Sequence, residues 1–279
     1  MQINHATQGS LSAPDVRGGG KQFNTLLVGR EGSPGNYRFV LARQTTGVYT
    51  PRHKHNFDQL RLCLTGKINY GPDCWIEPGQ IAYFPEGTSY GPEESDIERF
   101  GVTIQFGGAS GAGFLSEQQI HAGMEEMKPH GVFEKGIFRR TDAQPGERKN
   151  QDAFEAVWEH VNQRKLEYPP QRYDHPILMK PEHFEWQSDL PGIARKALGT
   201  FSERRLEVEQ MKIDAGVTAT VVARVGSELL CFAMSGAGTV DGQELRLHTA
   251  FALDGGQGAN VHASEEMVLL LVGLPVFAN

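Results

Sequence analysis

GVYTPRHKHNFDQLRLCLTG (residues 47–66) and GQIAYFPEGTSYGPEE (residues 79–94) are the most specific stretches of this sequence. His53 and His55 stand two residues apart in the first stretch, and residues i and i+2 of a β-strand face the same side of a sheet. Two imidazoles that project from one inward-facing strand can share one metal ion. The alternative is that both histidines lie at the surface in a basic turn, since Arg and Lys stand beside them.

Glycines and polar residues recur in both stretches at fixed spacings. The first reads G-x5-H-x-H-x3-Q-x6-G and the second reads G-x5-P-x-G-x2-Y-x3-E, with residues 67–78 between them. This pattern resembles the two motifs of the cupin superfamily, G-x5-H-x-H-x3-4-E-x6-G and G-x5-P-x-G-x2-H-x3-N. All the gap lengths fit, so the resemblance predicts a cupin barrel around residues 47–94.

The resemblance also implies a metal site in this barrel. Cupins usually hold their metal with two histidines and a glutamate of the first motif and a histidine of the second, which here are His53, His55, Gln59 and Tyr90. Glutamine is a neutral ligand, and tyrosine, with a pKa of about 10, binds well only as phenolate. Two histidines with oxygen ligands suit Fe, Mn, Ni or Zn. We expect one such divalent metal, bound more weakly than in an intact cupin. The alternative is that the barrel binds no metal.

Arg61 shares the parity of Gln59 and is therefore expected to point into the barrel. A buried arginine needs a counter-anion because an unpaired buried charge is costly. That anion is either the carboxylate of a substrate, which arginine binds through two hydrogen bonds, or an internal partner such as Glu94 or Glu98. Arg61 is thus a candidate catalytic residue, together with Tyr90 as a metal ligand, proton donor or oxygen-orienting group.

Two further residues lie next to the predicted ligands. Cys63 also has inward parity and is expected to be a small core residue. Asp58 has the opposite parity to Gln59 and is expected to face outward, although a local bulge could turn it into the missing carboxylate ligand.

The strand pattern predicts an all-β fold of two domains. Short apolar or alternating runs separated by turn signals fill the first part of the chain and return near its end. With the resemblance, they predict a bicupin of two cupin-type double-stranded β-helix (jelly-roll) barrels. We place the first barrel, which bears the site and an N-terminal arm, at residues 1–110 and the second barrel at residues 171–279.

Residues 111–170 are predicted to form a short helical connector. Ser116 and Gln119 make a capping-box start. Apolar residues then recur at helical spacing, and a second helical pattern covers residues 151–165.

The second barrel is expected to be a degenerate copy without a metal site. When Gly216 is aligned with Gly47, the ligand positions carry no ligand set: Val222, Arg224 and Ala259. His248 and His262 lie off the motif positions and are expected to be ordinary polar residues. We expect this domain to serve packing, stability or dimerisation.

Composition limits the partners of the protein. The net charge is −7 over 279 residues without a Lys/Arg run, which argues against nucleic-acid binding. No apolar run approaches a membrane span, and the N-terminus lacks the apolar region of a signal peptide. Three cysteines without a CxxC pair favour a reducing, cytoplasmic location. Cupins commonly dimerise, and an arm with Gly18–Gly20 could cross to a partner, so we expect a homodimer.

Two functions of different classes follow. The first is a metal-dependent, dioxygenase-like oxidoreductase that acts on a small organic molecule, a class that the resemblance implies. The second is a metal-free cupin that binds or senses a small molecule, which the substituted ligands favour, because fold does not imply function.

Overall fold

The structure is a computed structural model that describes residues 1–6, 21–112 and 114–277. It is all-β, as predicted, with most strands arranged in two barrels. The predicted arm with Gly18–Gly20 lies outside the described residues. No helix in the described ranges is long and apolar enough to cross a membrane.

A six-stranded antiparallel sheet forms one wall of the first barrel. Its strands, numbered along the chain, are β2 (Lys21–Val28), β3 (Tyr37–Gln44), β5 (Asp58–Thr65), β8 (Ile81–Phe84), β10 (Arg99–Phe106) and β14 (Ile177–Met179). They lie in the order β14-β8-β5-β10-β3-β2. The opposite wall consists of two short pairs: β4 (Val48–Thr50) with β9 (Glu93–Ser95), and β6 (Ile68–Gly71) with β7 (Cys74–Ile76).

The second barrel has the same plan. Its large sheet contains β1 (Gln2–Asn4), β15 (Gln187–Leu190), β16 (Ile193–Phe201), β17 (Leu206–Ile213), β19 (Leu229–Ser235), β22 (Ala250–Leu253) and β24 (Met267–Gly273). The order is β1-β22-β19-β24-β17-β16-β15. A four-stranded sheet faces it, formed by β18 (Thr218–Val222), β20 (Gly238–Val240), β21 (Gln243–Leu245) and β23 (Gly258–Ala263).

Each large sheet includes one short strand from the other half of the sequence. Strand β1 pairs with β22 of the second barrel, and β14 pairs with β8 of the first. These two strands therefore lie outside the halves in which we placed them. The division at residues 110 and 170 remains a proposal for the rest of the chain.

The two large sheets pack face to face and form the central core. Leu60 and Leu62 of β5 point into this core, and the rings of Phe39 and Phe232 meet across it at 5.7 Å. Because successive strand residues point to opposite faces, Arg61 and its neighbours of like parity point the other way, into the first barrel. The central core thus fixes which side chains of β5 can form a site.

The connector contains the two predicted helices and a small sheet that we did not predict. Helix α1 (Glu117–Met127) begins at the predicted capping box, since Ser116 Oγ accepts from Gln119 N and Gln119 Oε1 accepts from Ser116 N. Helix α2 is Ala153–Asn162. The sheet lies between the helices in sequence and consists of β11 (Gly131–Glu134), β12 (Ile137–Arg140) and β13 (Asn150–Asp152).

Candidate functional site

Backbone pairing brings the two motif stretches together. His53 N donates to Tyr90 O at 3.0 Å and Tyr90 N donates to His53 O at 2.9 Å, while Gly87 N donates to His55 O at 2.8 Å. The two histidines lie in the segment between β4 and β5, with only His53 in a single bridge, so they are not on a regular strand as we assumed. Their rings nevertheless lie together, with centroids 5.0 Å apart.

Both imidazoles are buried and held in place. His53 Nδ1 lies 2.7 Å from the carbonyl oxygen of Pro51, which can only accept, so Nδ1 donates this hydrogen bond. The ring of His55 stacks on Phe57 at 4.4 Å, and His55 Nε2 lies 3.0 Å from Tyr90 Oη. The surface alternative is therefore wrong for these two histidines, which are 9% and 8% exposed.

Arg61 points into the barrel, as its parity predicted, but its partner differs from those we named. Its Nη1 donates to Glu93 Oε1 and its Nη2 donates to Tyr90 Oη at 3.2 Å. On β9, Glu93 is buried and Glu94 is exposed, and Glu98 pairs instead with Arg43 at the surface. The prediction of an internal glutamate partner was therefore correct, but the partner is Glu93 rather than its neighbour Glu94.

These contacts form a relay from Arg61 through Tyr90 to His55. Tyr90 Oη accepts from Arg61 and lies within hydrogen-bond distance of His55 Nε2. Gln59 adjoins the relay, with its amide nitrogen 3.4 Å from Tyr90 Oη. With the amide turned, its oxygen accepts from Arg61 Nε at 2.8 Å and from Nη2 at 3.0 Å.

The predicted ligands fit a divalent transition metal only in part. The two imidazoles are ligands that such a metal prefers. The two oxygen donors, on Gln59 and Tyr90, both face the guanidinium of Arg61. Within the described ranges, no group of three or more His, Cys, Asp and Glu side chains could hold a metal. A metal here would therefore depend mainly on the two histidines.

Three cations surround the buried carboxylate of Glu93. Besides Arg61, Lys21 Nζ lies 3.8 Å and Arg99 Nη2 lies 3.6 Å from Glu93 Oε2. Burial alone would raise the pKa of Glu93, but Arg61, Lys21 and Arg99 together hold it well below its usual range. Burial lowers the pKa of the Arg99 guanidinium to about 10, while Glu93 opposes this shift. Sequence reasoning missed Lys21, Glu93 and Arg99.

A cavity of about 140 Å³ adjoins this cluster. Its polar side includes both histidines, Gln59, Arg61 and Arg99. Its apolar lining includes four phenylalanines from both the barrel and the connector: Phe23, Phe57, Phe114 and Phe154. Helix α2 therefore helps to close the site.

The interior of the second barrel is filled by apolar side chains such as Met211, Phe251 and Leu269. The two histidines that we placed off the motif positions do not meet: His248 stacks on Phe232 at the junction of the barrels, and His262 bonds Thr218 on an exposed face.

Asp58 faces away from the site, as its parity predicted, yet it is buried rather than at the surface. Its Oδ2 accepts from Tyr83 Oη at 2.9 Å and its Oδ1 accepts from Glu86 N at 2.8 Å. Burial raises the pKa of Asp58 to about 7, with a further contribution from the nearby Glu86 carboxylate. No bulge brings this carboxylate to the histidines. Cys63 is a buried core residue, as expected.

The fold resembles that of several solved structures. A variant of Bacillus subtilis oxalate decarboxylase is 13% identical, with a TM-score of 0.58 over 100% of this chain and 78% of that one. Salicylate 1,2-dioxygenase from Pseudaminobacter salicylatoxidans is 15% identical, with a TM-score of 0.54 over 86% and 71%. A Geobacillus kaustophilus protein is 10% identical, with a TM-score of 0.54 over 100% and 96%.

These likenesses confirm the two-barrel cupin fold that the motifs predicted. No family model and no curated protein matches the sequence. Because the identities are low, the likenesses concern the fold alone, and the activity has to be argued from the site.

Proposed function

We propose that the first barrel binds a small organic molecule in the 140 Å³ cavity, and that His53, His55 and Tyr90 form the reactive side of the site. The observation that carries this proposal is the relay from Arg61 through Tyr90 to His55, next to a cavity that four phenylalanines help to line. Binding sites typically combine an apolar wall with a few placed polar groups. The second barrel, filled by its own side chains, serves packing and stability.

Tyr90 and His55 can exchange a proton within the relay. Tyr90 Oη and His55 Nε2 are 3.0 Å apart, within the range over which a general acid or base transfers a proton. Arg61 donates to Tyr90 Oη, and Glu93 in turn holds Arg61. A bound molecule that reaches His55 could therefore exchange a proton with this pair.

In its finer form, the proposal is an oxidoreductase of the oxygenase type with one divalent transition metal. His53 and His55 would hold the metal. Gln59 and Tyr90 would be further ligands, with oxygens that bind the metal while they also accept hydrogen bonds from Arg61. When bound, such a metal supplies Lewis-acid or redox chemistry to a molecule in the cavity. Two adjacent buried imidazoles, with Nδ1 of His53 held by the Pro51 carbonyl, support this form.

The second candidate is a cupin that binds its molecule without metal. It is favoured by Arg61, which donates to Tyr90 and, with the amide turned, to Gln59. In this form the guanidinium supplies positive charge next to the histidines.

Metal analysis of the purified protein separates the two forms. Iron or manganese near one equivalent, lost in His53→Ala and retained in His262→Ala, would support the metal-dependent form. The control is matched because His262 is an exposed histidine of the second barrel. A metal content that is unaffected by His53→Ala would refute a metal at this site. The wider proposal fails if His53→Ala and Phe57→Trp, which narrows the cavity, both leave ligand binding unchanged in a thermal-shift screen.

A further inference from the structure

Arg99 stands out among the cavity residues because its polar group is only partly satisfied. Its side chain is 9% exposed. Nη2 donates to Gln44 Oε1 and lies beside Glu93, but Nη1 is buried without a hydrogen-bond partner in the described part of the chain. An unsatisfied buried donor costs free energy and calls for an explanation. A ligand atom that accepts from Nη1 would provide one.

The charges around the cavity point to the nature of that atom. The described lining residues include five lysines and arginines against two glutamates, although the whole chain carries a net charge of −7. Lys21 and Arg61 lie beside the same Glu93 carboxylate as Arg99. Positive charge concentrated at a buried pocket of an acidic protein favours an anionic ligand.

We propose that Arg99, next to Glu93 and flanked by Lys21 and Arg61, binds the carboxylate of a small organic acid. Arginine is suited to this role because its planar guanidinium donates charge-assisted hydrogen bonds to carboxylates. The inference rests on the proposed function, since it names the class of molecule that the cavity takes.

The cavity also limits the size of the acid. An apolar cavity of ~150 Å³ is known to hold benzene, and this one measures about 140 Å³. The aromatic side chains that line the same cavity as Arg99 suit a flat apolar body. The fitting class is therefore an acid with at most about one six-membered ring. Because Glu93 links Arg99 to Arg61 and Tyr90, an acid held by Arg99 would lie next to the relay.

Benzoate and acetate are suitable probes, and benzamide is the neutral counterpart of benzoate. We expect calorimetry to show binding of at least one carboxylate to the wild-type protein, and binding of benzamide at least 10-fold weaker. Arg99→Gln, which keeps a polar side chain beside Gln44, should weaken carboxylate binding about 10- to 100-fold because it removes a charge-assisted hydrogen bond. Arg205→Gln is the matched control, because Arg205 is not among the residues that line the cavity and its side chain is 65% exposed.

Further variants and conditions keep the test decisive. If Arg99→Gln does not fold, Lys21→Gln should still weaken binding several-fold, and equal binding of benzoate and benzamide to the wild-type protein would overturn the inference. So would the absence of binding by both carboxylates, or unchanged binding in Arg99→Gln. Measurements with and without a chelator separate the two proposals. Carboxylate binding that survives metal removal supports this inference alone, and metal uptake without carboxylate binding refutes it while leaving the metal site standing.

Discussion

Replacing Asp58 by Asn should change how the stability of the protein depends on pH. The folded-state pKa of Asp58 is about 7, whereas its ordinary value is 3.8. The folded state therefore keeps a proton on Asp58 at pH values where the unfolded chain has released it. Stability must then fall as the pH rises from about 4 to about 7, because the folded state binds more protons in this window.

The size of the effect follows from the pKa difference. About 3 pKa units at 1.36 kcal/mol each correspond to about 4 kcal/mol of destabilisation above pH 7, as an order of magnitude. Asn cannot ionise, so Asp58→Asn should avoid this loss. Its oxygen can still accept from Glu86 N and its NH₂ group can donate to Tyr83 Oη. We expect the variant to match the wild type only below about pH 4, where Asp58 is protonated in both the folded and the unfolded state. Near pH 8 the variant should melt higher, by roughly 8 °C at about 2 °C per kcal/mol for a chain of this size.

The assay is thermal unfolding of both proteins across this pH range at constant ionic strength. Groups that both proteins share cancel in the difference between their curves. Asp96→Asn, the same exchange at an exposed turn residue, is the control and should leave the difference flat. Parallel curves for wild type and Asp58→Asn, or a variant that melts lower at pH 8, would refute a buried carboxylate with a raised pKa.

Three further outcomes are expected. Glu93→Gln should lower the free energy of unfolding by about 3–5 kcal/mol near neutral pH, because three cations lose their shared carboxylate. In urea titrations this difference should shrink as the pH falls below the ordinary pKa of 4.5, since the folded-state pKa of Glu93 is lowered; a constant difference contradicts the assignment. Gln59→Glu should tighten metal binding at least ~10-fold in a chelator competition if residue 59 is a ligand, and unchanged affinity excludes that role. Light scattering should give a dimer mass, and a monomer mass across micromolar concentrations rules out the predicted homodimer.

The fold was predicted from the spacing of the motif residues, and this spacing corresponds to the turns and strands of the structure. The positive φ angles of Gly47, Gly66, Gly79 and Gly87 explain why glycine stands at these motif positions. At Gly66 a Cβ would also lie 2.3 Å from the backbone oxygen of Glu98. A positive φ angle is a local requirement, so it is visible in one sequence.

The connector sheet was harder to predict. Strands β11 to β13 are three or four residues long, too short to establish an alternating pattern. Helix α2 contacts β12 and β13, and these tertiary contacts leave no periodic signal in the sequence.

The site residues within the two motifs were predicted from the sequence. The site residues on β10 were missed, because its polar face could have pointed either to solvent or into the barrel. In β10, Arg99, Thr103 and Gln105 alternate with apolar residues, a pattern that is typical of a strand with one face in solvent. The same alternation arises when the polar face lines the inside of a barrel, and only the position of the central core decides between the two. Arg99 was overlooked for this reason. The opposite problem arose at Asp58. Its parity correctly predicted that it points away from the site, but not that this face of the sheet is buried against another sheet.

The exchange of β1 and β14 between the large sheets limits how the chain can be divided or recombined. A cut at residue 170 would leave β8 of the first barrel as an unprotected edge, and loss of the first six residues would do the same to β22. Either fragment would also expose its half of the central apolar core. The two barrels should therefore melt in a single transition, and neither can be expected to persist as a free-standing module or to be recombined with a barrel from another protein without its borrowed strand.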